Sequence, residues 1–183
     1  MIYAFNGGNV NLSSTANALT NISAAGVGNL TIVDAYTGTA DGLVLSGVNV
    51  TGKVDIQNTG SIKLASGNIR TTSTASSAAS PAVRLAAGYN YAVGNTSSNV
   101  NITSGQTITM GTGALGMIYS GGVSDTDLGG LVTSGSGRFR YSSNVSSAGY
   151  NTTAAALTTC LYTLYRESPT LTVTANSSTI VYG

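Results

Sequence analysis

The chain has no histidine and no tryptophan, a single cysteine (Cys160), two prolines, and charged residues at only 7% of its 183 positions. Each shortage removes a class of function. Without imidazoles and with few acids, a hydrolytic site has little to work with at neutral pH. One cysteine excludes an internal disulfide and a cysteine-based zinc site. Cys160 is accordingly read as a small buried hydrophobe and not as a reactive thiol. Globular chains carry roughly 25% charged residues; here seven basic and six acidic residues give a formal charge of +1. That leaves no basic field for nucleic acid and no acidic field for a cationic partner. No apolar run approaches the roughly eighteen residues of a membrane-spanning helix, so no bilayer span is expected. The opening MIYAFNGGNV lacks the basic and apolar regions of a signal peptide, and the chain is expected to be a fragment of something longer.

What is present in quantity is Gly, Ser, Thr, Asn and Ala, with 42% hydrophobic residues overall. Disorder needs lower hydrophobicity and higher net charge than this. Residues 9–68 read as three tandem frames of twenty, opening at Asn9, Asn29 and Asn49. Each opens with Asn and an aliphatic residue (Val10, Leu30, Val50). Leu12 and Ile32 follow two places on, where the third frame has Gly52. A second apolar pair, Leu43/Leu45, recurs nineteen residues later at Ile62/Leu64. Frames of this length with period-2 apolar pairs predict a parallel β-solenoid. One coil cannot cover its apolar face or pair its strand edges, and stacking the next about 4.8 Å above does both. Asn9, Asn29 and Asn49 would then form a column of stacked amides, at corners where Asn tolerates a left-handed turn.

The predicted fold is therefore all-β: a right-handed parallel β-helix of about 20 residues per coil, followed by a short irregular β tail. Residues 1–122 make five to six coils, 123–169 an irregular terminal β segment, and 170–183 the truncated start of a small β-domain. In residues 1–8, Ile2 and Ala4 would share one strand face, Tyr3 and Phe5 the other. The low-complexity run from Arg70 to Ser80 is expected to bulge as a loop. The rhythm resumes at Val83/Leu85, about twenty-one residues after Ile62/Leu64. A further coil is placed at Tyr89 and Tyr91, and the clearest late coil opens at Asn99 with Val100/Ile102 and Ile108/Met110. In RFRYSS, Phe139 and Tyr141 share one face and Arg138 and Arg140 the other, as in an edge strand. NTTAAALTTCLYTLY has leucines at helical spacing but is read as a strand. After Pro169, Leu171 and Val173 should face inward while Thr170, Thr172 and Thr174 face outward.

The acidic residues are Asp34, Asp41, Asp55, Asp125, Asp127 and Glu167. Asp34 and Asp55 lie twenty-one apart and would nearly stack. Asp125 and Asp127 point to one side of an extended segment and could hold Ca²⁺, but no further acid lies near, and Asp-Thr-Asp before a Gly pair reads as a turn. Gly111–Gly116 contains Gly-x-Gly-x-x-Gly without the following helix that a nucleotide fingerprint needs. The Asn-x-Ser/Thr triplets at Asn11, Asn21, Asn29, Asn49, Asn95, Asn101, Asn144, Asn151 and Asn176 follow largely from composition. No catalytic, cofactor-binding or metal-binding residue is assigned, and no cofactor is expected. Two rivals are weighed. An ice- or surface-binding solenoid needs regular Thr-x-Thr rows, matched only locally at Thr107/Thr109 and Thr170–Thr174. A carbohydrate-active β-helix needs an acid/base cluster.

GSGRFRYSS followed by LYRESPTLTVTANSSTIVYG resembles the C-terminal parts of filamentous-haemagglutinin-like exoproteins of Gram-negative bacteria, and Leu171–Gly183 is similar to the opening of their small MBG-type β-domains. The resemblance implies a secreted, surface-exposed adhesin exported by an outer-membrane partner (two-partner secretion), with host-cell or bacterial receptors or glycans as ligands. With no His and few, scattered acids, no enzyme is expected. Binding would come from the flat polar wall and the loop at 70–80. The isolated chain is expected to self-associate through its N-terminal coil, where Ile2 and Phe5 are available and no charge blocks an edge.

Overall fold

The structure is a computed structural model and describes residues 2–3, 7–146, 157–170 and 172–174. Among them the chain is all-β, with parallel sheets and no α-helix. In chain order the strands are β1 (Ile2–Tyr3), β2 (Val10–Leu12), β3 (Asn21–Val27), β4 (Leu30–Asp34), β5 (Leu43–Val50), β6 (Val54–Asn58), β7 (Ile62–Leu64), β8 (Ile69–Thr71), β9 (Ser76–Ser77), β10 (Ser80–Pro81), β11 (Val83–Ala87), β12 (Val100–Ile102), β13 (Ile108–Thr109), β14 (Gly116–Ser120), β15 (Phe139–Arg140) and β16 (Leu161–Tyr165). The first sheet has the order β2-β4-β6-β11-β14-β16-β15; the second runs β1-β3-β5, then β7 and β8, then β12 and β13. Every pairing in both is parallel. A short antiparallel hairpin, β9–β10, stands apart. The sheets are partly curled, in the manner of a half-barrel.

Up to β14 the chain alternates between the sheets, so each return to a sheet is in the same direction and the pairing is parallel. Alternation within strands decides which side chains enter the core. In β4 and β6, buried and half-buried residues alternate along the strand. Leu30, Ile32, Val54 and Ile56 from the first sheet meet Leu43, Leu45, Ile62 and Leu64 from the second in one cluster. Each such side chain contributes about 1.5–3 kcal/mol by leaving water. A second cluster lies on the outer face of the first sheet, where Met117, Tyr119, Tyr162 and Leu164 are buried beneath half-buried Val145, Leu157 and Cys160.

The apolar pair read from sequence stacks as expected, Leu43 on Ile62 and Leu45 on Leu64, and Val10 pairs with Leu30. The third frame does not fit. Leu30 pairs with Val54, not Val50, and Val50 belongs to the other sheet, beside Val27 and Thr71. The reason is the corner glycine. A Cβ on Gly28 would stand 2.2 Å from the Gly7 carbonyl oxygen, and one on Gly52 would stand 2.2 Å from Asn29 Oδ1. Only glycine lets successive corners nest this closely, and it sets Gly52-Lys53-Val54 above Gly28-Asn29-Leu30. Asn9 and Asn29 do stack: Asn9 Oδ1 accepts the Asn29 amide at 2.8 Å, and Asn29 Oδ1 accepts that of Lys53 at 2.7 Å. Asn49 is elsewhere, between Ala25 and Arg70.

The constant twenty-residue spacing does not persist. Register partners in the first sheet are Val10, Leu30, Val54, Val83, Gly116 and Leu161, at separations of 20, 24, 29, 33 and 45 residues. Strands and corners must superpose, whereas connections can lengthen at about 0.6 kcal/mol of closure entropy per doubling. Val83/Leu85 consequently stack on Val54/Ile56 and not on Ile62/Leu64, which carry Val100/Ile102 instead. Arg70 and Thr71 lie in a strand, and the expected bulge is confined to residues 72–80, ending in the hairpin. Tyr89 and Tyr91 sit in a strandless connection. Phe139–Arg140 is the terminal strand anticipated, and Leu161–Tyr165 is a strand. Residues 172–174 form none, and Val173 is 80% exposed instead of facing inward, because no described strand pairs with that segment. The facing of Ile2–Phe5 and the position of Leu171 fall outside the described residues.

Candidate functional site

The acidic residues disperse. Asp34 is buried at the end of β4, where its carboxylate accepts the amides of Leu19 (2.8 Å) and Tyr36 (3.2 Å) and closes a corner. It stacks on Asn58, whose side-chain amide donates to the carbonyls of Tyr36 and Ser61. Asp55 instead faces outward between Thr31 and Arg84, so the expected near-stacking of Asp34 and Asp55 is wrong: they occupy opposite faces of the sheet. Asp41 pairs with Lys63 at 2.9 Å and Asp55 with Arg84 at 3.4 Å, partly exposed pairs of the kind worth about 0–1 kcal/mol. Asp127 accepts the Gly129 amide at 2.9 Å as a turn residue. Among the described residues no three of His, Cys, Asp and Glu converge. The glycine run ending at Gly116 leads straight into β14, not into a helix.

The outward side of the first sheet, from β2 to β11, is a polar row: Asn11, Thr31, Asp55 and Arg84 in register. Beside it Lys53 Nζ donates to Ser80 Oγ at 2.7 Å, so the row and the hairpin frame a groove of about 210 Å³. On the second sheet, Arg70 and Asn49 with Thr72, Thr74 and Thr109 line a wider groove of about 570 Å³. Threonines do not form a ladder there: Thr109 stands over Arg70, which stands over Asn49. The geometry thus withholds the regular Thr rows an ice-binding face requires.

Two features escaped the sequence reading, both near β16. Arg166 is 1% exposed, and its guanidinium reaches no carboxylate among the described residues. It donates instead to the carbonyls of Ala87, Asn95 (3.1 Å), Ser97 and Ser98 (2.8 Å), and lies 5.7 Å from the centre of the Tyr91 ring. The connection 88–98 therefore wraps one buried cation. Burial pushes its pKa down to about 10, opposed by Tyr91, so it remains charged at neutral pH. Room for it comes from Gly88, where a Cβ would stand 2.7 Å from the guanidinium.

The second feature is a cleft of about 280 Å³ at the β15 end of the core. One wall is aromatic. Phe139 and Tyr141 both lie near-parallel to Tyr165, with ring centres 6.0 and 5.6 Å away and tilts of 16° and 23°. The opposite wall is the connection after β14, through Val123, Thr126, Leu128 and Val132. That connection is pinned: Val123 donates to Glu167 Oε2 at 2.7 Å, and the Thr126 hydroxyl donates to the Gly122 carbonyl at 2.6 Å. Burial, with Tyr141 and Glu167 nearby, pushes the Tyr165 phenol up to about 12, so it stays a protonated donor. The sequence signal covers only part of this wall: RFRY places Phe139 and Tyr141 at alternate positions, but nothing local marks Tyr165 as their partner. No protein-family model, curated protein or solved structure matches the chain.

Proposed function

We propose that the chain is a non-catalytic, adhesive segment of a secreted bacterial exoprotein, exposed at the cell surface and mediating attachment or aggregation. The architecture that goes with it is a right-handed parallel β-helix with coils of unequal length. Parallel strands joined through crossings are nearly always right-handed, and here each crossing of the first sheet up to β14 carries a strand of the facing sheet. The observation that carries the reading is the row Asn11–Thr31–Asp55–Arg84: polar side chains of mixed chemistry stand in register across four neighbouring parallel strands. Such a surface binds through many weak contacts spread over area and not through a reactive centre. Host or bacterial receptors and glycans are the partners this implies, with an outer-membrane protein exporting the whole molecule.

The test is attachment. Beads coated with the chain should bind cultured epithelial cells or Gram-negative bacteria above beads coated equally with albumin. Retention no better than albumin on both would sink the adhesive reading. Turnover of a polysaccharide by the purified chain, abolished by Asp55→Asn, would overturn the non-catalytic half.

A further inference from the structure

We propose that the cleft at the β15 end is a saccharide-binding site for a neutral sugar, taken against the Tyr141 ring. The proposal rests on the reading of the chain as a binding scaffold and gives that scaffold a specific ligand class. The ring is the first reason. Tyr141 is 43% exposed, yet one of its faces is held near-parallel to Tyr165, which is itself 3% exposed and near-parallel to Phe139. An exposed ring backed in this way is rigid and cannot collapse into the core. It presents a flat apolar face with a hydroxyl at its edge. A pyranose is the complementary object, apolar on its C–H face and hydroxylated around its rim.

Size and charge narrow the choice. The volume of about 280 Å³ lies near the lower limit of small-molecule sites, roughly 300–1,000 Å³. It suits one or two sugar rings and not a folded partner. Among the described residues no Lys, Arg, Asp or Glu side chain lines the cleft, so the lining offers no charged partner for an anion. Arg140 stands on the opposite face of β15, with its guanidinium 5.3 Å from the Tyr162 ring, so that strand brings no charge into the cleft. Ser134, Tyr141 and Tyr165 bring hydroxyl groups to the lining, each able to donate and accept with a sugar. Leu128 and Val132 close the floor and join the core, so the site belongs to the rigid part of the fold.

The experiment uses the full chain on an immobilised array of neutral and acidic oligosaccharides, followed by titration of the best neutral glycan with tyrosine fluorescence as readout. Binding to neutral glycans is expected. Tyr141→Ala should weaken it at least about tenfold, as for truncation of an aromatic anchor, while Tyr141→Phe retains most of it. Tyr141 is surface-exposed, so both variants should keep the parent's circular dichroism and melting temperature. A variant that loses either is replaced by Ser134→Tyr, which fills the cleft from its rim and should also abolish binding. Recognition of acidic glycans alone, neutral binding untouched by these variants, or no binding to any array member overturns the proposal. Bead attachment persisting in Tyr141→Ala would show that adhesion runs through the polar walls, so the two readings fail separately.

Discussion

The two ends of the stacked sheets are finished in different ways. At the β15 end, Leu128 and Val132 are buried over the core and Phe139 packs against it. The connection before β15 also covers the second sheet: Ile102 donates to the Asp127 carbonyl at 2.7 Å, and the Asp127 amide donates to Asn101 Oδ1 at 2.9 Å. The edge strand β15 is two residues long, with Arg138 before it and Arg140 within it, both features that discourage further pairing. At the β2 end, Val10, Leu12 and Leu19 are only half-buried, and β2 pairs with β4 alone among the described residues. A parallel stack satisfies its own middle. Its ends need separate solutions, and here one end has an evident one.

The sharpest way to break this asymmetry is to remove Arg166. Arg166→Ala leaves four carbonyls of residues 87–98 without their donor in a buried site. The expected loss is about 3–5 kcal/mol, since an unsatisfied buried acceptor costs about 1–3 kcal/mol and several are left here. Chemical denaturation should show it, and hydrogen exchange should show residues 88–98 released first. Arg166→Lys should recover little, because an ammonium with three donors cannot span carbonyls that a guanidinium fork reaches. Full recovery by Lys would mean that the charge alone matters.

A paired truncation measures the difference directly. Leu128→Ala at the closed end should cost about 2–3 kcal/mol, since a buried leucine leaves a cavity. Leu12→Ala at the β2 end should cost less, about 1 kcal/mol, because that side chain is only half-buried and the end can relax around it. Equal losses would show that the β2 end is as well packed as the other.

How far this was legible in the sequence depends on what each residue had to signal. Strand alternation was readable because Leu30, Ile32, Leu43 and Leu45 need one near neighbour each, two residues away. The corner was half-readable: Gly-Asn-Leu and Gly-Lys-Val share glycine and an aliphatic residue, but following Asn led to Asn49 and so misplaced Val50. Steric closeness, not the amide, sets that register, and no residue name announces it. The similar openings NVNLS and NVNIT were misleading for a related reason, since Val10 and Val100 belong to different sheets. Arg166 and the Tyr141–Tyr165 wall were illegible as a site because their partners lie up to 79 residues away. Contacts of that separation come from how connections of unequal length fold back, which no local spacing records.

Association should follow the same asymmetry. The edge of β2 that no described strand pairs with is expected to join copies of the chain, and Asn11→Lys, an exposed residue on that strand, should weaken association about tenfold, or 1.4 kcal/mol. Arg138→Thr at the other end should open a second route and increase it. Light scattering across a concentration series is the readout; a monomer at all concentrations in the parent chain would show that the β2 edge is protected.

The smallest effect isolates one hydroxyl at the closed end. In the folded chain the Tyr165 phenol titrates near 12 against 10.0 for the free side chain, first through burial and then through Tyr141 and Glu167. An acid whose folded pKa is raised binds its proton more tightly in the native state. Its contribution is therefore complete below about pH 10 and is lost as pH rises through about 12. At pH 11 this amounts to a loss of about 1 kcal/mol relative to pH 9. Arg166 acts with the opposite sign. Its folded pKa is lowered to about 10 from 12.5, so folding becomes easier as pH climbs through that window. The wild-type profile consequently mixes two opposed slopes. Tyr165→Phe separates them, because it keeps the ring stacked on Phe139 and Tyr141 while deleting only the ionisable group. Urea midpoints at pH 9 and pH 11 should show the variant gaining on the wild type by about 1 kcal/mol over that interval. Parallel profiles would mean that the Tyr165 hydroxyl is solvated in the cleft, and the closed end would then be wetter than its packing implies.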